Sequence, residues 1–194
     1  YTIERHYPEC VDAANPAAAF LEAVMRKQAR LITEWMRVGF IHGVMNTDNM
    51  MVSGETLDYG PCAFMNRYHE KTVFSSIDEH GRYAFANQRQ ICQWNITRLA
   101  ESLLPLLSSD QQQAISIAET ILQTFDAVFE QFWLKMMGSK LGLSDVGCSD
   151  KKLFDSLLHI MQRNKLDYTN TFYQLTYDLV SIDEEKQPGI SAWI

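Results

Sequence analysis

The sequence predicts a mainly α-helical fold interrupted by one short β-hairpin. Three observations carry that prediction. Apolar residues recur at helical spacing through most of the 194 residues. Between Met50 and Tyr59 the rhythm changes to two short β-like runs, Met50 to Val52 and Thr56 to Tyr59, around Ser53-Gly54-Glu55. Residues 60 to about 87 are punctuated by Gly, Pro and Ser and rich in aromatics, which suits a long ordered loop lying against the hairpin.

Taken in order, Asn15-Pro16 is a helix start, with Asn as N-cap and Pro at the first helical position. Phe20, Val24, Leu31 and Trp35 then form an apolar stripe, widened by Leu21, Ile32 and Val38, and Gly39 ends the helix. Glu22, Arg26, Arg30 and Glu34 line its charged face. After the loop, Gln90 to Leu107 reads as a helix kinked or broken near Pro105. Ser109 with Gln112 has the spacing of a capping box and opens one long amphipathic helix, from Ile115 through Phe125 and Phe132 to Met136, closed by Gly138. Ser149 or Asp150 caps another helix, and residues 169–181 form a last short one. The acidic run Asp183-Glu184-Glu185 reads as a solvated face. No internal repeat divides the chain, so residues 1–194 are expected to form a single domain.

Composition narrows the function classes. A formal charge of −7 and a pI near 5.2 oppose a phosphate backbone, so nucleic acid is not an expected partner. No apolar run of about 18 residues and no signal-peptide pattern is present, so no membrane partner is expected and cytoplasm is the default location, with the mitochondrion as the alternative for a eukaryotic relative. Cys10, Cys62, Cys92 and Cys148 form no CxxC pair, and the five histidines are scattered, so reduced thiols are expected rather than zinc. Asn95-Ile96-Thr97 is a formal glycosylation sequon without a secretory context. Residue 1 is Tyr, and YTIERHYPEC reads as mid-protein sequence, so the chain is expected to be a fragment.

The hairpin is where chemistry concentrates. Asn49 and Asp58 flank it and can face each other across its mouth. An amide oxygen and a carboxylate are hard ligands suited to Mg²⁺, which keeps waters and takes its other ligands from substrate phosphates. Asp48 adjoins Asn49 and can reach the same cavity as a separate base. NTDN is equally ordinary turn sequence, because Asn and Asp turn the backbone readily. The order is more specific than the parts. Protein kinases carry a catalytic loop ending in a metal-binding Asn, then a DFG triplet whose Asp also binds metal. Here His42 stands where that loop's His would be, Asn49 falls at the register of its Asn, and Asp58-Tyr59-Gly60 stands for DFG. The fold class expected is thus a protein-kinase-like C-lobe whose hairpin carries the metal site. Val44 occupies the place of the catalytic Asp, and an aliphatic side chain cannot accept a hydroxyl proton.

RHYPE at 5–9, WMRVGFIHGVMNTDNM at 35–50, LDYGP at 57–61, FMNRY at 64–68 and GRYAFANQ at 81–88 together resemble the selenoprotein O family. WNITRLAESLLPLL at 94–107 and LDYTNTF at 166–172 extend the match through essentially the whole chain. Asn66 stands where the family has an acidic residue, and Arg89 where Pro is commoner. The resemblance implies a pseudokinase fold that binds ATP in a flipped orientation and transfers AMP to Ser, Thr or Tyr hydroxyls of proteins, releasing pyrophosphate. Carried over by motif, Asp48 is the proton acceptor, Asn49 and Asp58 hold Mg²⁺ (or Mn²⁺), and Asp58 contacts the nucleotide phosphates through the metal. The resemblance also places the family's glycine-rich segment and phosphate-binding Lys and Arg before Tyr1, and its redox-active Cys or selenocysteine after Ile194. The piece alone is therefore expected to bind ATP weakly or not at all. A non-catalytic pseudokinase scaffold, an ordinary phosphotransferase with an unusual base, and UMP transfer with Mn²⁺ are the competing expectations.

Overall fold

A computed structural model describes residues 1–180, and the acidic run at 183–185 lies outside the described residues. The chain is mainly helical with one small sheet. A short α1 (Thr2–His6) leads into the long α2 (Pro16–Arg37). A two-residue β1 (Phe40–Ile41) and β2 (Ala63–Phe64) bracket the loop of interest. There follow α3 (Gln88–Leu107), α4 (Gln111–Leu122), α5 (Phe125–Lys140), α6 (Lys151–Arg163) and α7 (Tyr168–Val180).

α2 forms as its sequence predicts. Asn15 Oδ1 accepts from Ala18 N at 3.1 Å, and its Nδ2 donates to Leu107 O at 2.8 Å, so one cap ties the start of α2 to the end of α3. Phe20, Leu21, Val24, Met25, Ile32 and Trp35 are buried along one face. Exposed pairs Arg26–Glu22 and Arg37–Glu34 lie on the other, where such pairs contribute little. α2 packs against α3 and α5, and α4 packs against α3. One core surrounds these helices, a second gathers Phe154, Met161, Tyr168 and Phe172 under α6 and α7, and Met36 and Trp133 touch both.

Several boundaries differ from the sequence prediction, each for a local reason. α3 begins at Gln88 and runs past Pro105 to Leu107, because a proline in the last turn leaves only one carbonyl without its intrahelical donor. The cap of α4 is Asp110, not Ser109: Asp110 Oδ1 accepts from Gln113 N at 2.7 Å, while Ser108 Oγ donates to Gln113 Oε1. The single long helix is two. The chain jogs at Gln123-Thr124, where Thr124 Oγ1 donates to Ile121 O at 2.7 Å. The jog lets α4 present Ala114 and Ala118 to α3, and α5 present Phe125 and Phe129 to α2. Gly138 lies inside α5 because a Cβ there would meet Val146 Cγ2 at 2.2 Å, and Gly142, at φ +69°, follows the helix instead. Asp150 does stand at the start of α6, but its carboxylate accepts from Gly147 N rather than from a helical N–H.

Lys140 closes the second core. Its Nζ donates to Arg37 O at 2.5 Å and lies 3.8 Å from the Phe172 ring centre, capping α2 from α5. Burial and the nearby Arg37 guanidinium lower its pKa from 10.5 to about 8. The folded state therefore binds this proton less tightly than the unfolded chain, and stability rises with pH from about 8 toward 10.5. Burial raises the Cys10 and Cys92 thiols above 9.0, which opposes the rise above pH 9, and buried Tyr7 and Tyr68, both raised from 10.0 to about 12, oppose it above pH 10. Thermal unfolding measured between pH 8 and 9 should show Tm increasing in wild type relative to Lys140→Met, which lacks this contribution.

Candidate functional site

The end of α2 sets the entry to the loop. Gly39, at φ +71°, turns the chain beneath the Tyr168 ring, where a Cβ would come within 3.0 Å. β1 then pairs antiparallel with β2, Phe40 opposite Phe64, bringing the two ends of the loop together. The predicted hairpin contracts to a single bridge between Met50 and Thr56. Its arms are not held by a strand ladder. Side chains from the helical layer hold them instead: Tyr7 Oη donates to Val52 O, Gln28 Nε2 to Met51 O, and Trp35 Nε1 to Thr56 Oγ1 at 2.8 Å. Gly54, at φ +79°, lies against Lys27, where a Cβ would come within 2.8 Å.

α3 positions the other side through two amides seven residues apart, on one helical face. Gln88 is fully buried; its Oε1 accepts from His42 N and its Nε2 donates to Phe40 O, both at 3.0 Å. Asn95 Nδ2 donates to Met45 O at 3.0 Å. Neither residue was singled out from sequence for this role. The signal is an amide at i and i+7 within the apolar face that includes Ile91, Cys92 and Ile96. Asn95, the first residue of the sequon, is buried in this contact. Replacing Gln88 by Leu strands two buried backbone groups and should cost about 2–4 kcal/mol in denaturant unfolding.

The sequence-predicted residues fall as follows. Asp48 and Asn49 end a 3-10 turn (Thr47–Asn49). Asn49 Nδ2 donates to Val44 O at 2.9 Å, which leaves Oδ1 as its outward acceptor. The Asp48 carboxylate is exposed. Asp58 Oδ1 accepts from Gly60 N at 2.9 Å, leaving Oδ2 with acceptor capacity. The Met50–Thr56 bridge lies one residue in from Asn49 and two in from Asp58. His42 lies beneath, fully buried, its ring 5.2 Å from that of Trp35. Burial lowers its pKa below the ordinary 6.5, and the Asp58 carboxylate opposes the shift without cancelling it. Its Nδ1 accepts from Val44 N at 3.4 Å, and Nε2 has no hydrogen-bond partner among the described residues.

Gly43 closes the arrangement. At φ +87° it lies against the backbone of Pro61, and a Cβ there would sit 2.0 Å from Pro61 O. The long loop does lie against the site: Tyr83 Oη donates to Asn46 Oδ1 at 2.5 Å, and the Asp78 carboxylate caps the N–H groups of Arg82 and Tyr83. Among the described residues, no group of three or more His, Cys, Asp or Glu is placed to hold a metal, and all four cysteines are free. An amide oxygen and a carboxylate with spare acceptor capacity fit a hard cation that keeps most of its waters. Among the described residues, no helix is long and apolar enough to cross a membrane.

Comparison with known proteins matches this chain to proteins named as nucleotidyltransferases. Protein nucleotidyltransferase YdiU of Anoxybacillus flavithermus is 56% identical over 178 residues, 92% of this chain and 37% of its own. The protein of the same name from Nitrosococcus oceani is 57% identical over 175 residues, 90% of this chain and 36% of its own. That of Bacillus cytotoxicus is 50% identical over all 194 residues, 40% of its own. The family model described as Protein adenylyltransferase SelO matches residues 1–191, and the chain belongs to that family. It spans less than half the length of these curated relatives.

Proposed function

We propose that the full-length protein transfers AMP from ATP to Ser, Thr or Tyr hydroxyls of other proteins. Residues 1–194 would form the kinase-like C-lobe of that enzyme, acting in the cytoplasm, and the piece alone would be inactive. The observation that carries the proposal is the loop from His42 to Gly60. It carries Asp48 and Asn49 on a 3-10 turn and Asp58 beyond the Met50–Thr56 bridge, and it is fastened by side chains of α2 and α3 and by the backbone of Pro61. Asn49 Oδ1 and Asp58 Oδ2 would hold Mg²⁺, or Mn²⁺, which when bound neutralises charge on the nucleotide phosphates. Asp48 accepts the proton of the incoming hydroxyl, and the rigid turn fixes where that hydroxyl must come. The names of the relatives support nucleotidyl transfer. UMP transfer with Mn²⁺ is the alternative within the same chemistry, and a non-catalytic scaffold is the alternative outside it.

Label position separates these readings. Incubating the full-length protein with ATP labelled at the α- or the γ-phosphate should leave α-label on protein and no γ-label. Retention of γ-label would indicate a kinase, and no label from either ATP or UTP would leave the scaffold.

A further inference from the structure

A cavity of about 690 Å³ opens between α2, α3 and the turn that carries Asp48. Thr47, Met50, Val52 and Leu99 are among its walls. So are Gln28 and Asn95, whose side-chain oxygens are buried without hydrogen-bond partners. Buried acceptors without donors are costly, and a ligand that brings N–H groups relieves that cost. At the mouth stands Trp94, 42% exposed, with the Arg82 guanidinium 4.9 Å and the Arg98 guanidinium 5.2 Å from its ring centre. Stacking on a ring leaves the N–H edge of a guanidinium available to carboxylates. Arg82 forms no ion pair among the described residues. Arg98 has an exposed pair with Glu101 at 2.8 Å, which a bound carboxylate can share or displace. The link to the turn is direct, since Tyr83, beside Arg82, hydrogen-bonds Asn46.

We propose that this surface receives the acceptor protein, as an acidic segment. An apolar side chain enters the cavity, backbone N–H groups meet Gln28 and Asn95, and carboxylates next to the modified residue engage Arg82 and Arg98. Glu101 also lines the cavity and is met by Arg98, so Arg82, with no ion pair among the described residues, is left as the local positive charge that an acidic segment complements on a chain of net charge −7. The inference rests on the reading of Asp48 as the base, because the surface delivers the hydroxyl to that turn.

The test uses the full-length protein and two fluorescein-labelled peptides, each with one Ser flanked by Leu and either Asp or Lys, read by fluorescence anisotropy. The Asp peptide should bind about tenfold or more tightly than the Lys peptide, and weaken with salt. Arg82→Gln with Arg98→Gln should erase that preference, and Arg82→Glu with Arg98→Glu should invert it, the gain of Lys-peptide binding showing that the variant is folded. Equal binding of the two peptides by wild type, no binding of either, or a preference unchanged by both double variants overturns the proposal. Binding is independent of transfer. A protein that prefers the acidic peptide but moves no α-label would refute the nucleotidyl reading and keep the docking surface, whereas α-label transfer indifferent to peptide charge would do the reverse.

Discussion

Asp48→Ala in the full-length protein is expected to lower α-label transfer by about 10²–10⁴-fold, the usual worth of a positioned general base. That corresponds to about 3–5 kcal/mol of barrier. The size follows from what else the turn offers. Val44 has no proton acceptor in its side chain, Asn49 spends its amide on Val44 O, and Asp58 is tied to Gly60 N. The Asp48 carboxylate is exposed and enters no hydrogen bond or ion pair among the described residues, so its loss should leave the thermal transition in place. Metal affinity should be largely spared, while Asn49→Ala should weaken it. A variant that transfers at the wild-type rate would remove Asp48 from the chemistry. One that fails only because Mn²⁺ no longer binds would move it into the metal site.

Gly43→Ala is expected to have the largest effect on stability among the loop variants, about 3–5 kcal/mol. Two penalties add there. The left-handed backbone at φ +87° disfavours any Cβ, and that Cβ would overlap Pro61 O at 2.0 Å. Backbone on one side and a carbonyl on the other leave no flexible side chain to yield. The pairing of Phe40 with Phe64 fixes the same two segments from outside, so relief requires separating the loop from the strip that follows Asp58. Chemical denaturation should show a lower midpoint, and nucleotide transfer in the full-length variant should fall even where it remains folded. An unchanged midpoint would mean that the loop can detach from Pro61 at little cost.

Much of the helical layer was legible in the sequence because local chemistry decides it. Asn15-Pro16 caps α2 as such a pair should, and the apolar stripe of α2 is the buried one, save that Leu31 is only partly buried and Val38 is exposed just past the helix end. What failed depended on packing partners outside the helix concerned. The jog at Thr124 follows from α4 and α5 serving different neighbours, and the place of Gly138 follows from Val146. The β-like runs at 50–52 and 56–59 read as strands because their composition suits one, yet Tyr7 and Gln28 donate to backbone carbonyls that a ladder would have paired, and Trp35 holds Thr56 by its side chain. Of the site, the order His42, Asp48, Asn49, Asp58 could be read directly, since motif order is a property of sequence. The buried amides of Gln88 and Asn95 could not, because their partners are backbone groups some fifty residues away. Arg89 ties α3 to α5: its guanidinium pairs with Asp126 at 2.6 Å and lies 5.0 Å from the Phe129 ring centre.

The central claim is that Asn49 and Asp58 hold one divalent cation with the nucleotide. Mn²⁺ electron paramagnetic resonance on the full-length protein with ATP reads this without relying on turnover. The account predicts that the free-ion signal is quenched by wild type and by Asp48→Ala, less so by Asn49→Ala, and not by Asp58→Ala. Equal quenching by all four proteins would contradict it.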